Sequence, residues 1–203
     1  LKKQLSILNT GFLFAAGVLI LYVLSRFIKM KKSPIPKPQT GFKPSPLLPS
    51  NEVLSFDEIF QWLKAREGIN YTAVPDGKRN GIQLYSIGLG HQIQPNESDL
   101  LTKKLSDSEI LEIFKKDIEK IRVEMNKVIK VPLNKNQQLA LISLRYNIGP
   151  AAFGNSTLLK ILNTGNYTGT ALRFAEWRIF EGKINQGLVN RRELERQLFS
   201  KPV

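Results

Sequence analysis

Twenty consecutive residues without a charge, LSILNTGFLFAAGVLILYVL from Leu5 to Leu24, divide this chain into two physically different objects. At about 1.5 Å per residue such a helix is roughly 30 Å long, the thickness of a bilayer's hydrocarbon core, so the stretch is expected to span a membrane. Tyr22 suits the interface, and Arg26, Lys29, Lys31 and Lys32 form a basic collar beyond it. A secretion signal ordinarily has a shorter apolar region followed by a small-residue cleavage site, and no such site precedes the basic run, so the anchor is expected to be uncleaved. The anchor is assigned to residues 1–28, with bilayer contact through 5–28.

Six prolines (34, 36, 38, 44, 46, 49) then fall within KKSPIPKPQTGFKPSPLLPSNE, which has neither a helical nor a strand period. Residues 29–53 are expected to form an extended tether. In polyproline II geometry, at about 3.1 Å per residue, it reaches roughly 75 Å. The folded domain is assigned to 54–203.

Charge follows the same division. Eight of the 30 Lys and Arg and none of the 17 Asp and Glu lie in residues 1–50, so +8 of the formal +13 sits there and +5 on the remainder. A basic chain can meet nucleic acid, anionic lipid or an acidic cell-envelope polymer. Zinc-finger spacing and basic-aromatic single-strand motifs are absent, so nucleic acid is not an expected partner. The chain has no cysteine and one histidine, which excludes disulfides, thiolate metal sites and His clusters; no metal or cofactor is expected.

The domain opens with LSFDEI, a capping box of Ser55 and Glu58 combined with a Leu54/Ile59 hydrophobic staple. Ile59, Trp62 and Leu63 give the helix an apolar side, and Gly68 suits a left-handed C′ position, so the helix is expected to end at Glu67. That carboxylate stands where the macrodipole disfavours negative charge, an environment suited to a general acid. Pro75-Asp76-Gly77 and Asn80-Gly81 read as turns, residues 82–87 alternate as a strand, and another strand starts at His91. Gly88-Leu89-Gly90 lacks the context of a nucleotide-binding loop.

The rest reads as helical. Ser106 and Glu109 form a second capping box, followed by an apolar stripe of Ile110, Phe114, Ile118, Ile121, Met125 and Val128 in a helix over about 107–129. Further helices are expected over 134–147, 157–163, 168–180 and 190–199, with Trp177 and Phe180 in the core. The fold class is α+β, a small β-sheet lobe beside a helical lobe.

Glu67-Gly68, Asp76 and Ser86-Ile87-Gly88-Leu89-Gly90-His91 together resemble the active-site segment of phage-type lysozymes, glycoside hydrolase family 24, in which E-G, D and T-I-G-x-G-H occur in that order. Asn136-Gln137-Gln138, Tyr146-Asn147-Ile148-Gly149, Ala152-Phe153, Ser156 to Leu159, Trp177, Gly187-Leu188 and Arg191-Arg192-Glu193 follow the order of that family's helical lobe. The resemblance covers about residues 54–200. It implies a two-lobed, monomeric catalytic domain, a muramidase cutting the β-1,4 bond between N-acetylmuramic acid and N-acetylglucosamine of bacterial peptidoglycan, in the service of phage lysis or entry.

Under that resemblance Glu67 is the acid, Asp76 the candidate base and Ser86, in place of threonine, the residue holding the attacking water. Arg191 corresponds to the arginine that steadies the acid, with Arg192 as the competing register. Asn147 is a candidate for the cleft wall and His91 for a supporting hydrogen bond. Two departures matter: Ser stands for Thr, and nine residues separate Asp76 from Ser86 where the family has five, which lengthens the hairpin around Lys78 to Gly81. If Asp76 points away, one carboxylic acid suffices for a lytic transglycosylase, in which the sugar's own 6-hydroxyl closes an anhydro ring. A non-catalytic peptidoglycan-binding module and a structural membrane protein are the remaining alternatives.

Membrane orientation is contested within the sequence. The positive-inside rule places the residues after Arg26, Lys29, Lys31 and Lys32 in the cytoplasm, away from peptidoglycan. A single-pass anchor in a virion membrane or in the host inner membrane, with the domain facing peptidoglycan, is the expected arrangement; a releasable signal anchor is a third possibility, disfavoured by so apolar a segment.

Overall fold

The computed structural model describes residues 54–202. The apolar stretch 5–24 and the proline-rich segment lie outside the described residues. Among those described, no helix is long and apolar enough to cross a membrane.

Helix α1 (Phe56–Glu67) begins with both halves of the capping box: Glu58 N donates to Ser55 Oγ at 3.2 Å and Ser55 N donates to Glu58 Oε2 at 3.0 Å. Leu54 and Ile59, on either side of the cap, are both buried, as the staple requires. Gly68, at φ 72°, closes the helix by donating its N–H to Lys64 O, which leaves Glu67 as the last helical residue.

The chain then makes an antiparallel sheet in the order β1 (Asn70–Arg79), β2 (Ile82–Gly88), β3 (His91–Gln92). Asn80 and Gly81, both at positive φ, make the tight turn between β1 and β2. The Pro75-Asp76-Gly77 turn expected from sequence is instead a bulge inside β1. Pro75 pairs with Tyr85 and Lys78 with Gln83, so Asp76 and Gly77 together face the single residue Leu84. Three local conditions permit it: β1 is an edge strand and can accept proline, Gly77 adopts φ 76°, and Gln83 Nε2 donates to Gly77 O at 2.8 Å. The added hairpin length is paired strand, Lys78 with Gln83 and Arg79 with Ile82.

A 3₁₀ segment (Pro95–Leu101) leads to α2 (Asp107–Val128), whose stripe of Ile110, Phe114, Ile118, Ile121 and Met125 is buried, with Val128 half-buried at its end. Burying five such side chains stabilises the fold by roughly 1.5–3 kcal/mol each. Helix α3 (Lys135–Ile148) runs through the centre of the helical lobe, and eight of its fourteen residues are buried, which is why its hydrophobic pattern is not one-sided. Three short helices follow: α4 (Pro150–Asn155), α5 (Thr157–Leu162) and α6 (Tyr167–Arg173). Pro150 starts α4 at its first turn, where a missing N–H costs nothing.

The helix expected over 168–180 breaks after Arg173. A 3₁₀ turn (Phe174–Trp177) passes into a two-stranded hairpin, β4 (Ile179–Phe180) and β5 (Lys183–Ile184), turned by Glu181 and Gly182, both at positive φ. Phe174 is the fully buried aromatic there, while Trp177 and Phe180 are only half-buried. The last helix, α7 (Gln186–Phe199), starts four residues earlier than expected because Asn185 caps it through Leu188 N, and it packs along α3. Phe60 of α1 meets Phe114 of α2 edge-on, 5.1 Å between centroids, and Tyr146 Oη of α3 ties the sheet to the helices by donating to Leu89 O at 3.1 Å.

Candidate active site

Glu67 is presented by the C-terminal end of α1, and α7 supplies what lies against it. Arg191 Nη1 is 2.5 Å from Glu67 Oε1, and the Glu67 side chain is only 4 % exposed. The same guanidinium is held on its other nitrogens: Nε donates to Glu195 Oε1 at 3.2 Å and Nη2 to Ser143 O at 3.3 Å. Arg192, the competing register, points elsewhere. Its Nε is 2.9 Å from Glu195 Oε2, and its Nη2 donates to Glu195 Oε1 at 3.1 Å and to Asn147 Oδ1 at 3.0 Å.

Sequence reasoning missed Glu195, which has no exposed surface and receives both arginines and the Ser143 hydroxyl, at 2.6 Å. A signal was present. Leu188, Arg191, Arg192, Glu195, Leu198 and Phe199 form one buried stripe at helical spacing, and three of the six are ionic. A charge at an apolar position of a helix stripe has to find a partner within reach, and positions i+3 and i+4 are the nearest.

The charges in this cluster perturb one another. Burial works against ionised Arg191, but Glu67 and Glu195 outweigh it, so its proton is held more tightly than usual. Arg192 goes the other way, pushed down to about 10 by burial, with Glu195 opposing and Arg191 reinforcing the shift. Arg66, stacked 3.6 Å from the Trp62 ring centroid, is lowered first by burial and then by the like charge of Arg191. Burial foremost, then the nearby Asp117 and Glu67 carboxylates, raise the Tyr146 phenol well above its ordinary value.

Asp76 and Ser86 sit on neighbouring strands. Ser86 pairs with Val74, two residues before Asp76, and both are buried, at 2 % and 1 % exposure. Carboxylate and hydroxyl therefore occupy the inner face of the hairpin, screened from water as Glu67 is. Asn147 is buried and accepts from Arg192, which reaches Glu67 only through Glu195 and Arg191. His91 is taken up on both ring nitrogens: Nε2 lies 2.9 Å from Glu97 Oε2 and Nδ1 2.9 Å from Asp117 Oδ2. Burial opposes the imidazolium, but Asp117 and then Glu97 raise its pKa overall. Among the described residues there is no group of three or more His, Cys, Asp and Glu arranged to hold a metal ion.

The phage lysozyme family model matches residues 64–195. The endolysin of Acyrthosiphon pisum secondary endosymbiont phage 1 is 37% identical over 121 residues, covering 57% of this chain and 79% of that protein. The SAR-endolysin of Escherichia phage Mu is 33% identical over 102 residues, 50% of this chain and 60% of that protein. The chain also matches endolysins of two Bacillus phages and spans about half the length of each. In three dimensions it resembles the muramidase domain of SpmX from Asticaccaulis excentricus, with a TM-score of 0.62 at 27% identity over 74% of this chain and 99% of that one. With the matched segment running from the helix that carries Glu67 to the helix that carries Arg191, the chain belongs to the phage lysozyme family and is a glycoside hydrolase.

Proposed function

We propose that this chain is a membrane-tethered muramidase that cuts the β-1,4 bond between N-acetylmuramic acid and N-acetylglucosamine in peptidoglycan, with Glu67 as general acid, Asp76 as general base and Ser86 holding the attacking water. The observation that carries the reading is the buried Glu67 carboxyl at the end of α1, fixed against Arg191 at 2.5 Å within a chain of this family.

The chemistry follows from the two carboxyls. Protonated Glu67 gives its proton to the glycosidic oxygen as the bond from the anomeric carbon breaks. Water adds to the anomeric carbon from the opposite face and gives its proton to Asp76, so inversion results. Ser86 can accept one hydrogen bond from that water and donate another, fixing its line of approach. The near absence of solvent around all three groups strengthens each of these interactions.

The burial of Asp76 also favours a second reading. A base at 1 % exposure has little room for a water in the structure as it stands. The muramic acid 6-hydroxyl then attacks the anomeric carbon, Glu67 first gives a proton and then receives one, and a 1,6-anhydro ring forms. In both readings the stretch 5–24 anchors the enzyme in a virion or host inner membrane with the domain facing peptidoglycan, and the proline-rich segment supplies the reach.

Purified peptidoglycan digested with the full chain in detergent distinguishes these outcomes by mass spectrometry. Reducing muramic acid ends support hydrolysis, and 1,6-anhydro ends the second reading. Wild-type cleavage by Glu67→Gln would overturn both.

A further inference from the structure

Glu195 is buried between Arg191 and Arg192 of α7, and it is bonded more heavily than an anchor for a single partner needs. Its Oε1 receives Ser143 Oγ, Arg192 Nη2 and Arg191 Nε at 2.6, 3.1 and 3.2 Å, while Oε2 lies 2.9 Å from Arg192 Nε. The result is a row of alternating charge: Glu67, Arg191, Glu195, Arg192. Ser143 Oγ ties the row to α3, and the Ser143 carbonyl takes the third nitrogen of Arg191.

A lone arginine 2.5 Å from an acid catalyst poses a chemical difficulty. It aims the carboxyl, but its full positive charge would hold that carboxyl ionised when the reaction needs the proton in place. A second carboxylate on the far side of the guanidinium removes much of that field and keeps the aim. We infer that Glu195 is a positioning residue for the acid: it locks the Arg191 guanidinium against Glu67 and, through its own negative charge, cancels part of the charge that Arg191 presents there. The inference rests on Glu67 being the acid, as proposed above.

Other charged or titratable groups bear on Glu67 as well: Arg66 from its own helix, Tyr146 from α3, and Arg191 and Arg192 from α7. Arg192 acts in the opposite sense to Glu195, because it both adds positive potential and draws on the Glu195 carboxylate. Removing the charge of each residue in turn therefore shifts the protonation of the acid in opposite directions, which loosened packing would not do.

The test is the pH profile of kcat for the full chain in detergent on purified peptidoglycan at constant ionic strength. Wild type, Glu67→Gln, Glu195→Gln and Arg192→Gln are compared, with circular dichroism and thermal melting as the check on folding. In Glu195→Gln the limb at which activity fails with rising pH moves down by on the order of half to one pH unit, and kcat at its optimum falls about tenfold with KM little changed. In Arg192→Gln the same limb moves up. A folded Glu195→Gln whose profile superimposes on wild type overturns the inference, as does movement of both variants in one direction. If Glu195→Gln fails to melt cooperatively, Arg192→Gln decides: an upward shift supports the inference and an unmoved limb overturns it. Full activity in Glu67→Gln would refute the proposed acid itself, whereas an inactive Glu67→Gln beside an unshifted Glu195→Gln refutes only the role of Glu195.

Discussion

Arg191 Nη1 and Glu67 Oε1 meet at 2.5 Å, one from the second turn of the last helix and the other from the final residue of the first, 124 positions apart in the chain. Both side chains are nearly inaccessible, at 10 % and 4 % exposure, so the contact is a buried ion pair and not a surface one. Removing one partner of such a pair leaves an uncompensated charge inside the protein. Arg191→Ala is expected to destabilise the domain by about 3–5 kcal/mol, while Arg191→Lys, a single ammonium replacing a fork with three distinct contacts, loses less stability. Both are expected to lower kcat by on the order of a hundredfold through misplacement of Glu67. Denaturant unfolding and turnover of purified peptidoglycan measure the two effects separately.

Asp76→Asn keeps the size of the side chain and removes the base. If Asp76 accepts the proton of water, hydrolysis falls by roughly 10²- to 10⁴-fold while the protein remains folded. Unchanged release of 1,6-anhydro products by the same variant would remove Asp76 from the mechanism.

The bulge that seats Asp76 depends on Gly77 at φ 76°. A side chain there meets the left-handed penalty, so Gly77→Ala is expected to cost about 1–2 kcal/mol. Because the strain falls on the residue next to Asp76, activity should drop further than stability explains. Comparing kcat well below the melting temperature with the change in unfolding free energy tests this.

The His91 cluster gives a pH dependence of stability whose sign is fixed. The folded His91 pKa is raised above 6.5, chiefly by Asp117 and Glu97 against the effect of burial, so its contribution is complete below 6.5 and is lost as pH rises through the folded value. Glu97 is lowered below 4.5 because Gln94 N and His91, with Lys116, outweigh burial, so its contribution is present above 4.5 and lost as pH falls through the folded value. The cluster therefore stabilises most between about pH 4.5 and 6.5. Wild type minus His91→Gln, followed by melting temperature from pH 4 to 9, should show a difference that is largest in that window and shrinks towards alkaline pH.

A chain lacking residues 1–28 tests the proposed anchor. It is expected to remain in solution without detergent, to cleave purified peptidoglycan as the full chain does in detergent, and to lose co-sedimentation with membranes. Detection of the full protein only in infected-cell membranes, never in purified particles, would rule out the virion location.

The readable features share one property: each arises between residues close in sequence. Both capping boxes, the end of α1 at Glu67, the Asn80-Gly81 hairpin and the buried stripe of α2 depend on neighbours within a turn or two, and each is where the sequence indicates. The break at Arg173 and the β4–β5 hairpin were hidden because residues 168–180 carry helix-compatible side chains, while the positive-φ pair that reverses the chain, Glu181 and Gly182, lies just beyond. The Asp76 bulge was hidden for a related reason. Pro-Asp-Gly suits a turn and a bulge equally, and the choice rests on pairing with Tyr85 and Gln83 across the strand.

The residue types available for catalysis, their order along the chain and the helix end that presents Glu67 were determined by the sequence alone, since composition and short-range hydrogen bonding suffice for them. Which arginine meets Glu67, and that Glu195 stands behind it, were decided only by the tertiary structure. Adjacent residues on a helix point about 100° apart, so the choice between Arg191 and Arg192 is a choice of rotation for α7. That rotation is set by how α7 beds against α3, through Ser143, Asn147 and the buried stripe, contacts made across 45 to 52 residues of chain.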